Sequence, residues 1–127
     1  MPSTFLIFFR AGSASLEGAA DSLAGYGLTV VRKDDYLEVS RLGSPTYRVR
    51  IAQGSHVSSK ARDIAADTPY EEAMRDCNEC FEVTINDLDE ALDEVNTLME
   101  IQGALQNVSD GYLFLPWNGS FSERWQD

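Results

Sequence analysis

The chain predicts an α+β domain: a mainly antiparallel sheet with helices packed on one face. Three observations carry that expectation. Residues 46–52 alternate cleanly, with Tyr47, Val49 and Ile51 facing one way and Arg48 and Arg50 the other, the period-two signature of a half-buried strand. The first half holds several such short runs separated by polar or Gly/Pro turns, as a meander of hairpins does. The second half holds a long amphipathic stretch over about 87–107, flanked by two strand-like runs.

The elements follow in order. Phe5, Leu6, Ile7, Phe8 and Phe9 form an apolar run closed by Arg10, read as a buried first strand. Ser13 or Ser15 can cap a helix to about Ala24, with Leu16, Ala19, Ala20 and Leu23 on one face and Gly25 and Gly27 ending it. A second strand is expected over 28–32 and a polar turn at Lys33, Asp34 and Asp35. A third follows over 36–41, with Leu37 and Val39 on one face, then a turn at Gly43, Ser44 and Pro45 and the fourth strand at 46–52. Residues 55–76 read as one or two short helices, because Thr68-Pro69 followed by Glu71 and Glu72 is a favourable helix start. Residues 79–85 form a further strand, and Asn86 or Asp87 caps the long helix, whose stripe is read as Leu88, Leu92, Val95, Leu98 or Met99, and Leu105. Val49, Ile51, Leu92 and Val95 are thereby expected in one core. Residues 112–115 form the last expected strand, and Asn118-Gly119 signals a tight turn. The final strand-helix-strand should make a right-handed crossover. A ferredoxin-like fold or a related α/β sandwich fits this order best.

Length and composition bound the rest. At 127 residues the chain suits a single domain over 1–127, large enough to bury a core without staples, with 117–127 as a loose or docking tail. No apolar run approaches the roughly 20 residues of a membrane span. The N-terminal segment lacks the basic n-region of a signal peptide. Two cysteines, Cys77 and Cys80, are too few for a disulfide scaffold. A cytoplasmic location is expected.

Charge is divided unevenly. Residues 1–62 carry eight Lys/Arg and five Asp/Glu, net +3, while 63–127 carry two and sixteen, net −14, together the −11 of the chain. Such a field repels nucleic acid and anionic membranes and attracts basic partners.

No motif fixes a chemistry. Cys77-Asn-Glu-Cys80 has redox spacing, but the pair follows a helix and precedes a strand, and neighbouring acids oppose a low thiol pKa. It also lacks the remaining ligands of a closed zinc site. His56 is the only histidine, and no nucleophile elbow accompanies it. The acids at the start of the long helix do not have calcium-loop spacing, so neither a metal nor a cofactor is expected. Trp117, Phe121 and Trp125 punctuate the C-terminal segment, where they either fold back on the core or anchor a partner.

The stretch from Phe81 through Asp87-Leu-Asp-Glu-Ala-Leu-Asp-Glu-Val-Asn-Thr-Leu to Gly111-Tyr-Leu-Phe-Leu-Pro-Trp-Asn-Gly119 is similar to a recurrent ending of small, uncharacterised bacterial proteins. In size, acidity and lack of catalytic motifs the chain also resembles bacterial immunity proteins, which inhibit cognate toxins. The resemblance implies a non-enzymatic inhibitor and carries over no functional residue. The acidity itself points to Asp87, Asp89, Glu90, Asp93 and Glu94 as a face that masks the basic cleft of a toxin or nuclease, with Trp117 as an anchor. The alternatives are a ligand-binding or enzymatic domain with a site near Arg48, Arg50 and His56, and a homo-oligomeric module, such as a homodimer, that buries its C-terminal aromatics.

Overall fold

The computed structural model describes residues 3–10, 12–42, 44–117 and 119–122. Twelve elements alternate along them: β1 (Ser3–Phe9), α1 (Leu16–Gly25), β2 (Thr29–Arg32), β3 (Leu37–Ser40), β4 (Tyr47–Gln53), α2 (Ser55–Ala65), α3 (Glu71–Met74), β5 (Glu79–Ile85), α4 (Leu88–Asp93), α5 (Val95–Ser109), β6 (Tyr112–Leu115) and β7 (Ser120–Ser122). The strands form one sheet in the order β2-β3-β4-β5-β1-β6-β7, every adjacent pair antiparallel.

The α+β class with an antiparallel sheet is as expected. Its centre, β4-β5-β1-β6, interleaves two split βαβ units. β1 and β4 run parallel on either side of β5, and β5 and β6 run parallel on either side of β1. This is the ferredoxin-like arrangement, extended at one edge by the β2–β3 hairpin and at the other by β7.

The apolar run of β1 is continuous because both its faces are covered. Phe5, Ile7 and Phe9 point to one face, where Val49, Phe81, Val83 and Ile85 pack beneath Ala19 and Leu23 of α1 and Leu98, Ile101, Ala104 and Leu105 of α5. Leu6 and Phe8 point to the other, where they meet Cys80, Val57, Ala61 and Ala65 of α2, and Met74. The helices therefore cover parts of two faces, where the sequence reading placed them on one. The connection between β4 and β5 is long enough to fold back as α2 and α3, and its own apolar positions need a sheet to cover.

Local signals explain the element starts. Ser15 rather than Ser13 caps α1, its Oγ accepting from the Gly18 amide at 3.1 Å. Asp87 caps α4, its Oδ1 accepting from the Glu90 amide at 3.1 Å. Gly111 lies where no side chain fits, since a Cβ would sit 2.6 Å from Ile7 Cγ2 and 2.8 Å from the Phe8 carbonyl oxygen.

The reading of the long helix is also corrected. The helix read as continuous over 87–107 breaks at Glu94, whose φ of −116° and ψ of 62° leave the helical region. Asp89 with Asp93, and Glu90 with Glu94, stand at the i,i+4 spacing where like charges repel, which weakens helix propagation there. The buried residues of α5 are Thr97, Leu98, Ile101, Ala104 and Leu105, with Gln106 and Ser109 in its last turn. Leu92 and Val95 are not core residues: they are 47% and 43% exposed, while Val49 is buried and Ile51 half-buried against the same core. Small residues mark the true faces: Ala91 is the buried residue of α4, and Ala104 lets α5 approach the sheet and α1 closely. The Ser22 hydroxyl of α1 donates to the Ala104 carbonyl at 3.0 Å.

The C-terminal segment belongs to the fold as far as it is described. Trp117 packs on the α1/α5 face and Phe121 on the α2 face, where it stacks with Tyr70. Gly43 and Asn118 of the expected turns, and Trp125 of the tail, lie outside the described residues.

Candidate functional site

β5 ends at Ile85, opposite Tyr47 and Ser3, and α4 leaves from that end of the sheet. Only Ala91 of α4 is fully buried, with Leu88 half-buried against the core, so the helix presents the rest of its short length to solvent. Asp87, Asp89, Glu90 and Asp93 are exposed and Glu94 is half-buried. Among the described residues none of the five is ion-paired; the three salt bridges are Arg10–Asp76, Arg41–Glu100 and Arg50–Glu82. The surroundings supply no counter-charge from the same stretch, since residues 76–123 contain eleven Asp/Glu and no Lys, Arg or His.

The acids are not equivalent. Asp87 holds the helix cap. Glu90 and Glu94 are close enough for their charges to act on the buried Tyr47 hydroxyl. Burial foremost, then the Glu94 and Glu90 charges, push that phenol up to about 12. The Tyr47 hydroxyl, Glu94 Oε2 and the Thr97 hydroxyl are buried without a hydrogen-bond partner among the described residues. Asp89 and Asp93 are exposed and have no ion-pair partner among the described residues.

Beside this face, α5 exposes Val95 and Met99, the latter 46% accessible. A cavity of about 720 Å³ lies along the helix, lined by Met99, Glu100, Gly103, Gln106, Leu113 and Leu115 among others. Gln106 is buried at its floor, and its side-chain amide donates to the Gly111 carbonyl at 3.3 Å and the Ser122 carbonyl at 3.2 Å, tying α5 to β6 and β7. Two of the cavity's lining residues are held by Arg41, which pairs with Glu100 and donates to the Tyr26 carbonyl at 2.9 Å. Sequence reasoning did not identify this groove. The available signal was a second apolar stripe, Val95 and Met99 at i,i+4, separate from Leu98, Ile101 and Leu105.

Trp117 is separate in character from the acids. Its ring is half-buried against the core and makes an edge contact with Phe5.

The alternative site is partly assembled. Arg48 and Arg50 line a cavity of about 430 Å³ with Thr4, Asp35, Tyr36, Glu82 and Thr84, on the open part of the α2-side sheet face. Arg50 is engaged by Glu82, Nε to Oε1 at 2.8 Å. His56 lies exposed in the first turn of α2 and does not line that cavity.

Cys77 and Cys80 are buried free thiols on the α2 side. Burial is the largest cause raising both, Cys77 to about 11 and Cys80 to about 12. A buried, protonated thiol is a poor nucleophile. No group of three or more His, Cys, Asp or Glu among the described residues is arranged to hold a metal ion, and none of the described helices is long and apolar enough to cross a membrane. Comparisons with family models, with curated proteins and with solved structures find no match.

Proposed function

We propose that the protein is a non-enzymatic inhibitor of the immunity type, acting in the cytoplasm by laying the acidic face of α4 over the basic active-site cleft of a toxin or nuclease. The observation that carries the reading is the exposed, unpaired set Asp89, Glu90 and Asp93 within a stretch that contains no cation. Carboxylates held on a short capped helix can occupy the positions of substrate phosphates, and their long-range field speeds encounter with a basic partner. Asp87 contributes charge as well as the cap. The buried thiols, with their raised pKa values, favour binding over thiol catalysis.

The experiment is affinity capture from the native host, followed by assay of the captured protein. The reading expects a basic protein whose nuclease or other toxic activity is blocked at one-to-one stoichiometry. Captured proteins whose activity is unaffected would overturn it.

A second reading rests on the cavity of Arg48, Tyr36, Thr4 and Thr84. Arg48 has no ion-pair partner among the described residues, so this face suits a small carboxylate or phosphate ligand. Titration with such anions, comparing the native chain with Arg48→Ala, separates it from the inhibitor reading.

A further inference from the structure

We propose that the segment docking on this protein is cationic and amphipathic, and that it seats an apolar side chain over Gly103 in the groove between α5 and β6. The inference rests on the acidic-face reading and names the chemistry of its partner.

Gly103 is the pivotal residue. It lies inside α5, and a Cβ built on it would meet nothing within 4 Å. Its backbone does not occupy the left-handed region that favours glycine. Neither packing nor backbone geometry within the chain therefore calls for glycine, and alanine is the better helix former. What glycine does here is keep the groove floor open. Met99, one helical turn earlier, and Leu113 and Leu115 of β6 give the groove apolar walls. Val95, one turn before Met99, extends the apolar strip toward α4 and its exposed Leu92.

Charge selects the occupant. Along the chain the strip runs back from Met99 through Val95 to Asp93, Glu90 and Asp89. Glu100 in the groove is already paired with Arg41, whereas these three acids have no ion-pair partner among the described residues. A second copy of the chain, at net −11, would set one acidic face against another. A partner with Lys or Arg flanking an apolar side chain satisfies both parts of the surface at once.

The test uses two synthetic peptides of equal positive charge, one an amphipathic Leu/Lys sequence and one a Ser/Lys sequence, titrated calorimetrically. The native chain is compared with Gly103→Leu, with Met99→Ser, and with a charge variant Asp89→Asn, Glu90→Gln, Asp93→Asn. Circular dichroism verifies that each variant is folded. The inference expects the Leu/Lys peptide to bind the native chain more tightly than the Ser/Lys peptide. It expects Gly103→Leu to weaken only the Leu/Lys peptide, by about tenfold or more, and Met99→Ser to weaken it in the same direction. Equal binding of the two peptides, or Leu/Lys affinity unchanged in both groove variants, overturns it. If the charge variant still weakens both peptides, the acidic-face reading survives that failure; if it weakens neither, that reading fails as well. A native dimer in sedimentation that Gly103→Leu dissociates would assign the groove to a second copy and also overturn the inference.

Discussion

Trp117 stands edge-on to Phe5, with ring centroids 6.5 Å apart and planes at 87°. Phe5 is fully buried on β1, an interior strand of the sheet, so the contact fixes the segment after β6 to the main core. An edge-to-face pair adds to the area that both rings bury. Trp117→Ala should therefore destabilise the fold by about 2–4 kcal/mol, read from urea unfolding. A partner anchor would behave differently: binding would weaken while the unfolding midpoint stayed in place.

Gly111 connects α5 to β6 against the backbone of β1. Gly111→Ala should cost about 1–3 kcal/mol, because the new methyl meets the Phe8 carbonyl, which cannot swing aside. Gly103→Ala, in open space, should be neutral or slightly stabilising. The pair of melting temperatures checks both statements, and equal shifts would contradict the packing described.

Alkaline pH should loosen the fold. Cys77 rises from the usual 9.0 to about 11, Cys80 from 9.0 to about 12 and Tyr47 from 10.0 to about 12, in each case foremost through burial. Each folded-state pKa is raised, so the unfolded chain releases these protons first. Their contribution is fully present below about pH 9 and is lost as pH rises through 11 and 12. Urea unfolding across that window should show the decline, and replacing both cysteines by Ala should make it shallower. At neutral pH a thiol reagent should react slowly with the folded chain and rapidly once it is unfolded. Fast reaction with the native protein would contradict the burial.

Asp87 separates charge from architecture. Asp87→Ala removes the acceptor of the Glu90 amide and should cost about 1 kcal/mol. Asp87→Asn keeps an acceptor and should be close to neutral. Chemical denaturation of the two variants distinguishes a cap from a surface charge.

Much of the sheet is legible in the sequence because strand alternation reports burial directly. Residues 79–85 and 112–115 are strands with the expected bounds, and the alternating Tyr47, Val49 and Ile51 point into the core side. The Ser15 cap and the Ala19–Leu23 face of α1 follow from the same local chemistry. The like charges that weaken the helix at the α4–α5 break are also visible in the sequence, but the inward face of α5 is not, because it depends on how closely α5 approaches α1 and the sheet. Ala104 and Thr97 face inward, whereas Leu92 and Val95, with larger apolar side chains, face solvent. Counting large apolar residues therefore misplaces the helix face. The α2–α3 layer is hidden for a related reason. Leu6, Phe8 and Cys80 are interleaved with residues of the other face, and only the tertiary fold shows what covers them. For the candidate site, the acids are readable from composition, but the groove is not, since Leu113 and Leu115 reach it only through β6 pairing beside β1.

The central claim is that the exposed acids of α4 attract a basic partner. The most direct measurement is the association rate of the captured partner with the native chain and with the Asp89→Asn, Glu90→Gln, Asp93→Asn variant, followed across a salt series. Neutralising three mutually repelling carboxylates should leave the fold equally stable or slightly more so. The account predicts that the variant associates about tenfold or more slowly at low salt, and that the two rates converge as added salt screens the field. Identical association rates across the whole series would contradict it.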